Sequence, residues 1–262
     1  MVGSFFTFGE LFCKKLLTKL KNGVYYNDLA QKELNGWLGI KKEIKMYHYI
    51  EDKEFLKRMR GLCSGIINQL VQRINNDSVM TVEAHLVGSG AKNLETQNAN
   101  NPIDLDYNLC VISTEEMDIN DCRAIKEYIR KQFNAVLNAN GWSDCEDSTS
   151  ALSTERRHFT KGNATEFSID VAIVAEGRNQ WYRLIHQKTG FAAYDRYYWN
   201  EAPNSEGLSA RVAKLKKTHL WTEVRDAYLE KKNMYLRRQD RNHPSFNVYI
   251  EAVNEVYYRN FR

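Results

Sequence analysis

Apolar residues recur every three to four positions through two early stretches. One runs from Phe5 to Leu20. The other covers residues 41–75, where Ile44, Tyr47, Phe55, Met59, Leu62, Ile66, Leu70 and Ile74 carry the repeat. That spacing predicts helices, and Asn75-Asn76-Asp77-Ser78 is a turn cluster that ends the second. The pattern then changes. Val79–Val87 reads as a strand, Gly88-Ser89-Gly90 follows it, and residues 91–101 form a polar, Asn-rich loop. Ile103–Ile112 predicts a second strand entered from Pro102, and Met117–Asn140 an amphipathic helix ending at Gly141. Residues 151–160 and 166–174 predict paired strands joined by Lys161-Gly162-Asn163, while the aromatic stretch 181–198 has no clear period. Helical spacing returns from Ser205 through Leu208, Val212, Leu215, Leu220, Val224, Tyr228 and Leu236. A last helix follows His243-Pro244-Ser245, with Ser245 as a candidate N-cap. Helices, a mixed sheet and again helices make the class α+β. The organisation expected is N-terminal helices over 1–78 packing on the core, a core over 79–200, and a C-terminal helical region over 201–262.

Length and composition narrow the classes. A chain of 262 residues buries about three quarters of its unfolded surface and needs no disulfide or metal staple. Cys13, Cys63, Cys110, Cys122 and Cys145 are odd in number, scattered and without CxxC spacing, which argues against a disulfide framework or structural zinc and for a reducing compartment. No apolar run approaches the ~20 residues of a membrane span. The N-terminus lacks a basic stretch, and Glu10 interrupts its short apolar segment, so no signal peptide is read. The expectation is a cytoplasmic protein without a membrane partner. The net charge of +4 permits an anionic ligand without demonstrating one.

The chemistry-bearing residues cluster around the two central strands. Asp104 and Asp106 stand two apart on a predicted strand, so both carboxylates share one face while Ile103 and Leu105 take the other. Adjacent carboxylates repel unless a cation neutralises them, and hard oxygen ligands suit Mg²⁺ or Mn²⁺. Asp170, inside the apolar run Phe167–Val174, is costly to bury without a partner. If its strand lies beside that of Asp104 and Asp106, three carboxylates converge in the arrangement that two-metal phosphoryl chemistry uses. Gly88-Ser89-Gly90 sits between a strand and a helix start, where backbone N–H groups can cradle phosphate. It matches neither the P-loop nor the dinucleotide-binding fingerprint.

Gly-Ser, a loop, a hydrophobic-Asp-hydrophobic-Asp strand and a later strand Asp resemble the signature of the DNA-polymerase-β-like nucleotidyltransferase superfamily. Pro102-Ile103-Asp104-Leu105-Asp106 and the long loop after Gly88-Ser89 are most similar to the branch holding the cGAS/DncV-like (CD-NTase) enzymes and oligoadenylate synthetase. The motif residues span 79–175, and in the flanks the resemblance is architectural. It implies a polymerase-β-like mixed-sheet core with N-terminal helices and a C-terminal helical bundle. Asp104 and Asp106 would then bind both metals. Asp170 would bind one metal and orient or deprotonate the acceptor hydroxyl. Ser89, with the backbone of Gly88 and Gly90, would hold the triphosphate of an NTP or dNTP. A basic residue on a C-terminal helix would assist, with Lys214 and Lys217 as candidates, and Tyr197-Tyr198-Trp199 is a candidate base-stacking surface. The implied activity is transfer of NMP from NTP to a ribose hydroxyl of another nucleotide, releasing pyrophosphate. The product would be a cyclic or linear (oligo)nucleotide in bacterial anti-phage signalling, read by a downstream effector protein, with a nucleic-acid primer or activator left open. The alternative keeps the chemistry and changes the acceptor to tRNA, protein or a small molecule. The chain departs from the animal DNA sensor in having no His/Cys cluster of zinc-binding spacing.

Overall fold

The computed structural model describes residues 46–178, 180–202, 207–240 and 245–261. The chain divides into two compact units, Met1–Ile44 and Lys45–Arg262, and the described residues all belong to the second. The helix expected over Phe5–Leu20 lies outside the described residues.

Strand β1 (Tyr47–Tyr49) comes first and helix α1 (Lys53–Asn76) second. The helical repeat read through Tyr47 therefore breaks before Asp52, whose side chain accepts a hydrogen bond from the Phe55 N–H at 2.9 Å and caps the helix. Downstream of that cap Phe55, Met59, Cys63, Ile66, Ile67, Leu70 and Ile74 form one buried stripe. The next elements are β2 (Met80–Leu86), β3 (Thr96–Asn98), the long strand β4 (Ile103–Thr114) and α2 (Cys122–Ala139). The short pair β5 (Glu146–Asp147) and β6 (Leu152–Ser153) follows, then β7 (Phe167–Glu176), β8 (Trp181–Gln187) and β9 (Arg196–Glu201). Helices α3 (Leu208–Lys217), α4 (Trp221–Arg237) and α5 (Ser245–Asn260) close the chain.

Seven strands form one mixed sheet ordered β2-β4-β7-β6-β5, with β8 also on β7 and β9 on β8, while β1 and β3 make a separate antiparallel ribbon. The architecture is α+β, as its element order predicts. β4 and β7 run parallel, a pairing that requires a crossover, and α2 lies within it. The pair expected between residues 151–160 and 166–174 shrinks to Leu152–Ser153 against Asp170–Val171 and one bridge between Arg157 and Phe167. The Arg156-Arg157-His158 run breaks the alternation a longer buried strand needs. The aromatic stretch 181–198 becomes the β8–β9 hairpin.

The sheet and helices α1 and α2 share one core. Leu105, Tyr107 and Leu109 of β4 and Phe167, Ile169, Val171 and Ile173 of β7 pack with the α1 stripe and with Ile125, Ile129 and Phe133 of α2. A second core gathers α3, α4 and α5 around Leu215, Val224, Tyr228, Ala252 and Val253, and Leu94 from the loop after Gly88 enters it. His186 helps hold the far edge of the sheet: Nδ1 faces Asp147 at 2.7 Å and Nε2 faces Asp195 at 2.9 Å, with Lys126 also on Asp147 at 2.6 Å.

Candidate active site

Because the odd-numbered residues of β4 and β7 fill the core, the even-numbered ones face the other way. Parallel pairing sets Asp106 directly beside Asp170 and Asp104 beside Ser168. Asp104 is exposed, whereas Asp106 and Asp170 are half-buried. The Ser168 hydroxyl donates to Asp104 Oδ1 at 2.5 Å. Across β7, Ser153 faces Asp170 and its hydroxyl bonds to that carboxylate.

Burial, then the neighbouring Asp170 and Asp104 carboxylates, push the Asp106 carboxyl up to about 6, against the opposing charges of Arg183 and Lys92. Burial also raises Asp170, with Asp104 adding to it and the Ser153 hydrogen bond holding it down. These shifts report carboxylates that are chiefly desolvated and, after that, crowded by one another. Among the described residues no three His, Cys, Asp or Glu side chains are yet gathered about one metal position. The donors nonetheless suit a hard divalent cation. They are carboxylate oxygens on one strand face, and two of the three carboxylates are held by serine hydroxyls that a stronger ligand can displace.

The Gly-Ser segment closes one side. Val87 N–H donates to the Asp106 carbonyl at 2.8 Å, so β2 delivers Gly88 onto the acidic strand. Gly88 has φ +63°, and a Cβ there would lie 2.4 Å from Asp106 Oδ2. Only glycine brings the backbone this close to the carboxylate. Ser89 and Gly90 begin a single 3-10 turn, and the Ser89 carbonyl accepts from Lys92 and Leu94 N–H, each at 3.1 Å.

Lys92 carries a signal that the sequence reading missed. Its Nζ donates to the Gly88 carbonyl at 3.2 Å and lies 5.0 Å above the Tyr249 ring. Burial, then the Lys216 ammonium, lower its pKa, while Asp106 raises it. A cation two residues beyond Gly90 on a strand-to-helix turn is the clue the sequence offered. Lys216 thus acts on Lys92, while its own Nζ lies 4.8 Å over the Trp221 ring. Lys214 likewise sits 3.9 Å over the Phe261 ring, and Lys217 is exposed at the end of α3. The aromatic triplet is split by strand alternation. Tyr197 stacks on His186 at 4.1 Å and the Trp199 indole N–H donates to the Ile119 carbonyl at 2.8 Å, so both serve the core. Tyr198, at 41% exposure, pairs with Ile185 on the face that carries Asp170. Arg183, whose partner on β7 is Val174, joins that face and reaches Asp106 electrostatically.

No protein-family model matches the chain, and no curated protein does. The chain is similar to several solved CD-NTase structures. CdnC of E. coli MS115-1 with ATP is 15% identical at a TM-score of 0.47, covering 81% of this chain and 63% of that one. CdnE of Elizabethkingia meningoseptica, a cyclic dinucleotide synthase solved with GTP and Apcpp, is 13% identical at 0.47, covering 73% and 68%. DncV of Vibrio cholerae, a cyclic AMP-GMP synthase in complex with nonhydrolyzable GTP, is 12% identical at 0.46, covering 90% and 69%. The chain spans 60% of the CdnC in its complex with HORMA-deltaN. No helix among the described residues is long and apolar enough to cross a membrane.

Proposed function

We propose that the chain is a divalent-metal-dependent nucleotidyltransferase that moves NMP from an NTP to a ribose hydroxyl of another nucleotide. The product is a cyclic or linear (oligo)nucleotide, and pyrophosphate leaves. The observation that carries this reading is the pairing of Asp106 with Asp170 across parallel strands, with Asp104 on the same face and Gly88 pressed against Asp106.

In the reaction the acceptor hydroxyl oxygen bonds to the α-phosphorus and the bond from that phosphorus to the β-bridging oxygen breaks. Asp170 orients the hydroxyl and takes its proton, a role suited to a carboxylate that burial has made more basic. The N–H groups of the Gly88–Gly90 turn and the Ser89 hydroxyl receive the triphosphate, and Lys92 with Lys216 offsets its charge. Lys217 is a further candidate on the same helix, and Lys214 would have to leave the Phe261 ring to join them. Asp104, Asp106 and Asp170 would hold magnesium or manganese, which when bound supplies charge neutralisation at the α-phosphate and the leaving oxygen. Positioning and electrostatics then provide most of the rate.

Labelled NTPs and dNTPs incubated with Mg²⁺ or Mn²⁺ test the reading. Pyrophosphate and small or laddered nucleotide products are expected from the native chain and none from the Asp104→Ala/Asp106→Ala protein. Label appearing only on RNA, protein or a small molecule added as lysate would move the acceptor. Absence of pyrophosphate with every nucleotide, metal and acceptor would overturn the proposal.

A further inference from the structure

Residues 91–101 read in sequence as a polar loop, yet the part up to Asn98 is held from two sides. Leu94 is 1% exposed inside the helical core, and Glu95 is 4% exposed. Asn93 takes φ 54°, the left-handed region that Asn tolerates at some cost. From α1, Arg60 Nε donates to Glu95 Oε1 at 2.8 Å and its Nη2 donates to Asn93 Oδ1 at 3.1 Å. From α4, the Arg225 guanidinium donates to the Asn93 carbonyl and lies 4.0 Å from the Tyr49 ring centroid. Farther along the same helix, Lys232 Nζ donates to Thr96 Oγ1 at 2.9 Å over the Tyr47 ring, while Asn233 bonds both the N–H and the carbonyl of Tyr47. Arg225, Tyr228 and Lys232 are spaced i, i+3, i+7, so one stripe of α4 follows the loop.

Arg60 and Arg225 are therefore committed to the protein. One is neutralised by a buried carboxylate, and the other is engaged by the Asn93 carbonyl and the Tyr49 ring, with Tyr49 Oη also donating to the Arg225 backbone carbonyl at 2.7 Å. Neither is a free charge for a phosphate. We propose that Arg60 and Arg225 are positioning residues that clamp Asn93–Glu95 between α1 and α4. The clamp holds the Gly88–Gly90 turn at its close approach to Asp106. The link is short: Leu94 N–H returns to the Ser89 carbonyl, so the clamped residues are hydrogen-bonded to the turn itself. A phosphate cradle made of backbone N–H groups binds well only when those groups are preset, because ordering them on binding costs affinity. The catalytic consequence rests on the nucleotidyltransferase reading; the clamp itself does not.

Two folded variants test it. Removing Arg60 alone strands the buried Glu95 charge, so the neutral pair Arg60→Met/Glu95→Gln is used, beside Arg225→Met. Amide hydrogen exchange in the free protein is the first readout, and steady-state kinetics with NTP the second. The clamp predicts exchange faster by about tenfold or more confined to residues 90–98, with β4 and β7 unchanged. It also predicts KM raised about tenfold with a smaller loss in kcat, and partial recovery in Arg225→Lys. Native exchange at 90–98 in both variants would overturn the clamp, as would acceleration spread evenly over the whole sheet. Faster exchange at 90–98 with KM unchanged would overturn its role in binding. If the native chain shows no turnover, the proposed function has failed, and the exchange data alone decide whether the clamp exists.

Discussion

Asp106 sits where three effects meet: burial, two neighbouring carboxylates and a glycine pressed against its carboxylate. Its folded pKa of about 6 lies above the ordinary carboxylate value of 3.8, so the fold prefers its neutral form. Above pH 6 the charge is present in folded and unfolded chains alike, and the fold bears the full cost of its desolvation and of the neighbouring carboxylates. As pH falls from 6 toward 3.8, the native state binds a proton first and stability rises. Asp106→Asn should therefore raise the melting temperature of the metal-free protein at pH 7.5, by an amount on the order of 2 kcal/mol in stability, while abolishing turnover. A melting series from pH 4 to 8 checks this, and a variant no more stable than the native chain would contradict it. Gly88→Ala separates the two quantities differently. Its new methyl meets the movable end of the Asp106 side chain rather than backbone, so the carboxylate yields. About 1 kcal/mol of left-handed strain is expected in stability, against a loss of at least about tenfold in kcat. Lys92→Met should raise the KM for NTP more than it lowers kcat, since its ammonium lies by the turn, on the Gly88 carbonyl.

At the scale of elements, α4 is the part whose role was least readable in the sequence. Its apolar spacing through Val224 and Tyr228 predicted a helix, but nothing in that spacing says that Arg225, Lys232 and Asn233 secure the loop before β3, β3 itself and β1. Lys232 makes this docking measurable. Burial alone lowers its pKa to about 8, and the titratable groups facing it are Tyr47 and Tyr228. Below pH 8 the ammonium is protonated whether folded or not, and its desolvation weighs against the fold. Between pH 8 and 10 the native state releases this proton before the unfolded chain does, so stability should rise with pH. Burial also raises the Tyr228 hydroxyl to about 12, which makes stability fall once the unfolded chain ionises above pH 10. Burial also holds the Cys63 and Cys145 thiols up at about 12, which lowers stability above pH 9 in native and variant chains alike. Chemical denaturation at pH 7.5, 8.5 and 9.5 should therefore show the native protein gaining stability relative to Lys232→Met as pH rises. An identical pH trend in both would remove Lys232 as the source.

At the scale of the whole molecule, local geometry was legible and long-range pairing was not. The period of two placed Asp104 and Asp106 together on one face without knowledge of the fold, because alternation is a property of any strand. That Asp170 lies beside Asp106 depends on a parallel pairing across a crossover containing α2, and no local spacing encodes that register. The aromatic triplet shows the same limit from the other side. Alternation guarantees that Tyr198 parts from Tyr197 and Trp199, but only the pairing of β9 with β8 assigns Tyr198 to the acidic face. Lys92 offered only its place two residues beyond Gly90, and Arg60 was invisible because its role comes from packing against a loop whose path is set by distant helices. The broken helix at Asp52 was legible in principle, since Asp before Lys53-Glu54-Phe55 is an N-cap pattern.

The central claim is that three carboxylates on one sheet face, served by the Gly88–Gly90 turn, carry out nucleotidyl transfer. Single-turnover pyrophosphate release by Asp170→Asn tests it most directly, measured beside the native chain with saturating NTP and Mg²⁺. Asp170 is the carboxylate whose place was fixed by tertiary pairing alone. The account predicts pyrophosphate from the native chain and a loss of at least about a thousandfold in the variant, at a melting temperature no lower than native. A folded Asp170→Asn protein that releases pyrophosphate at the native rate would contradict it.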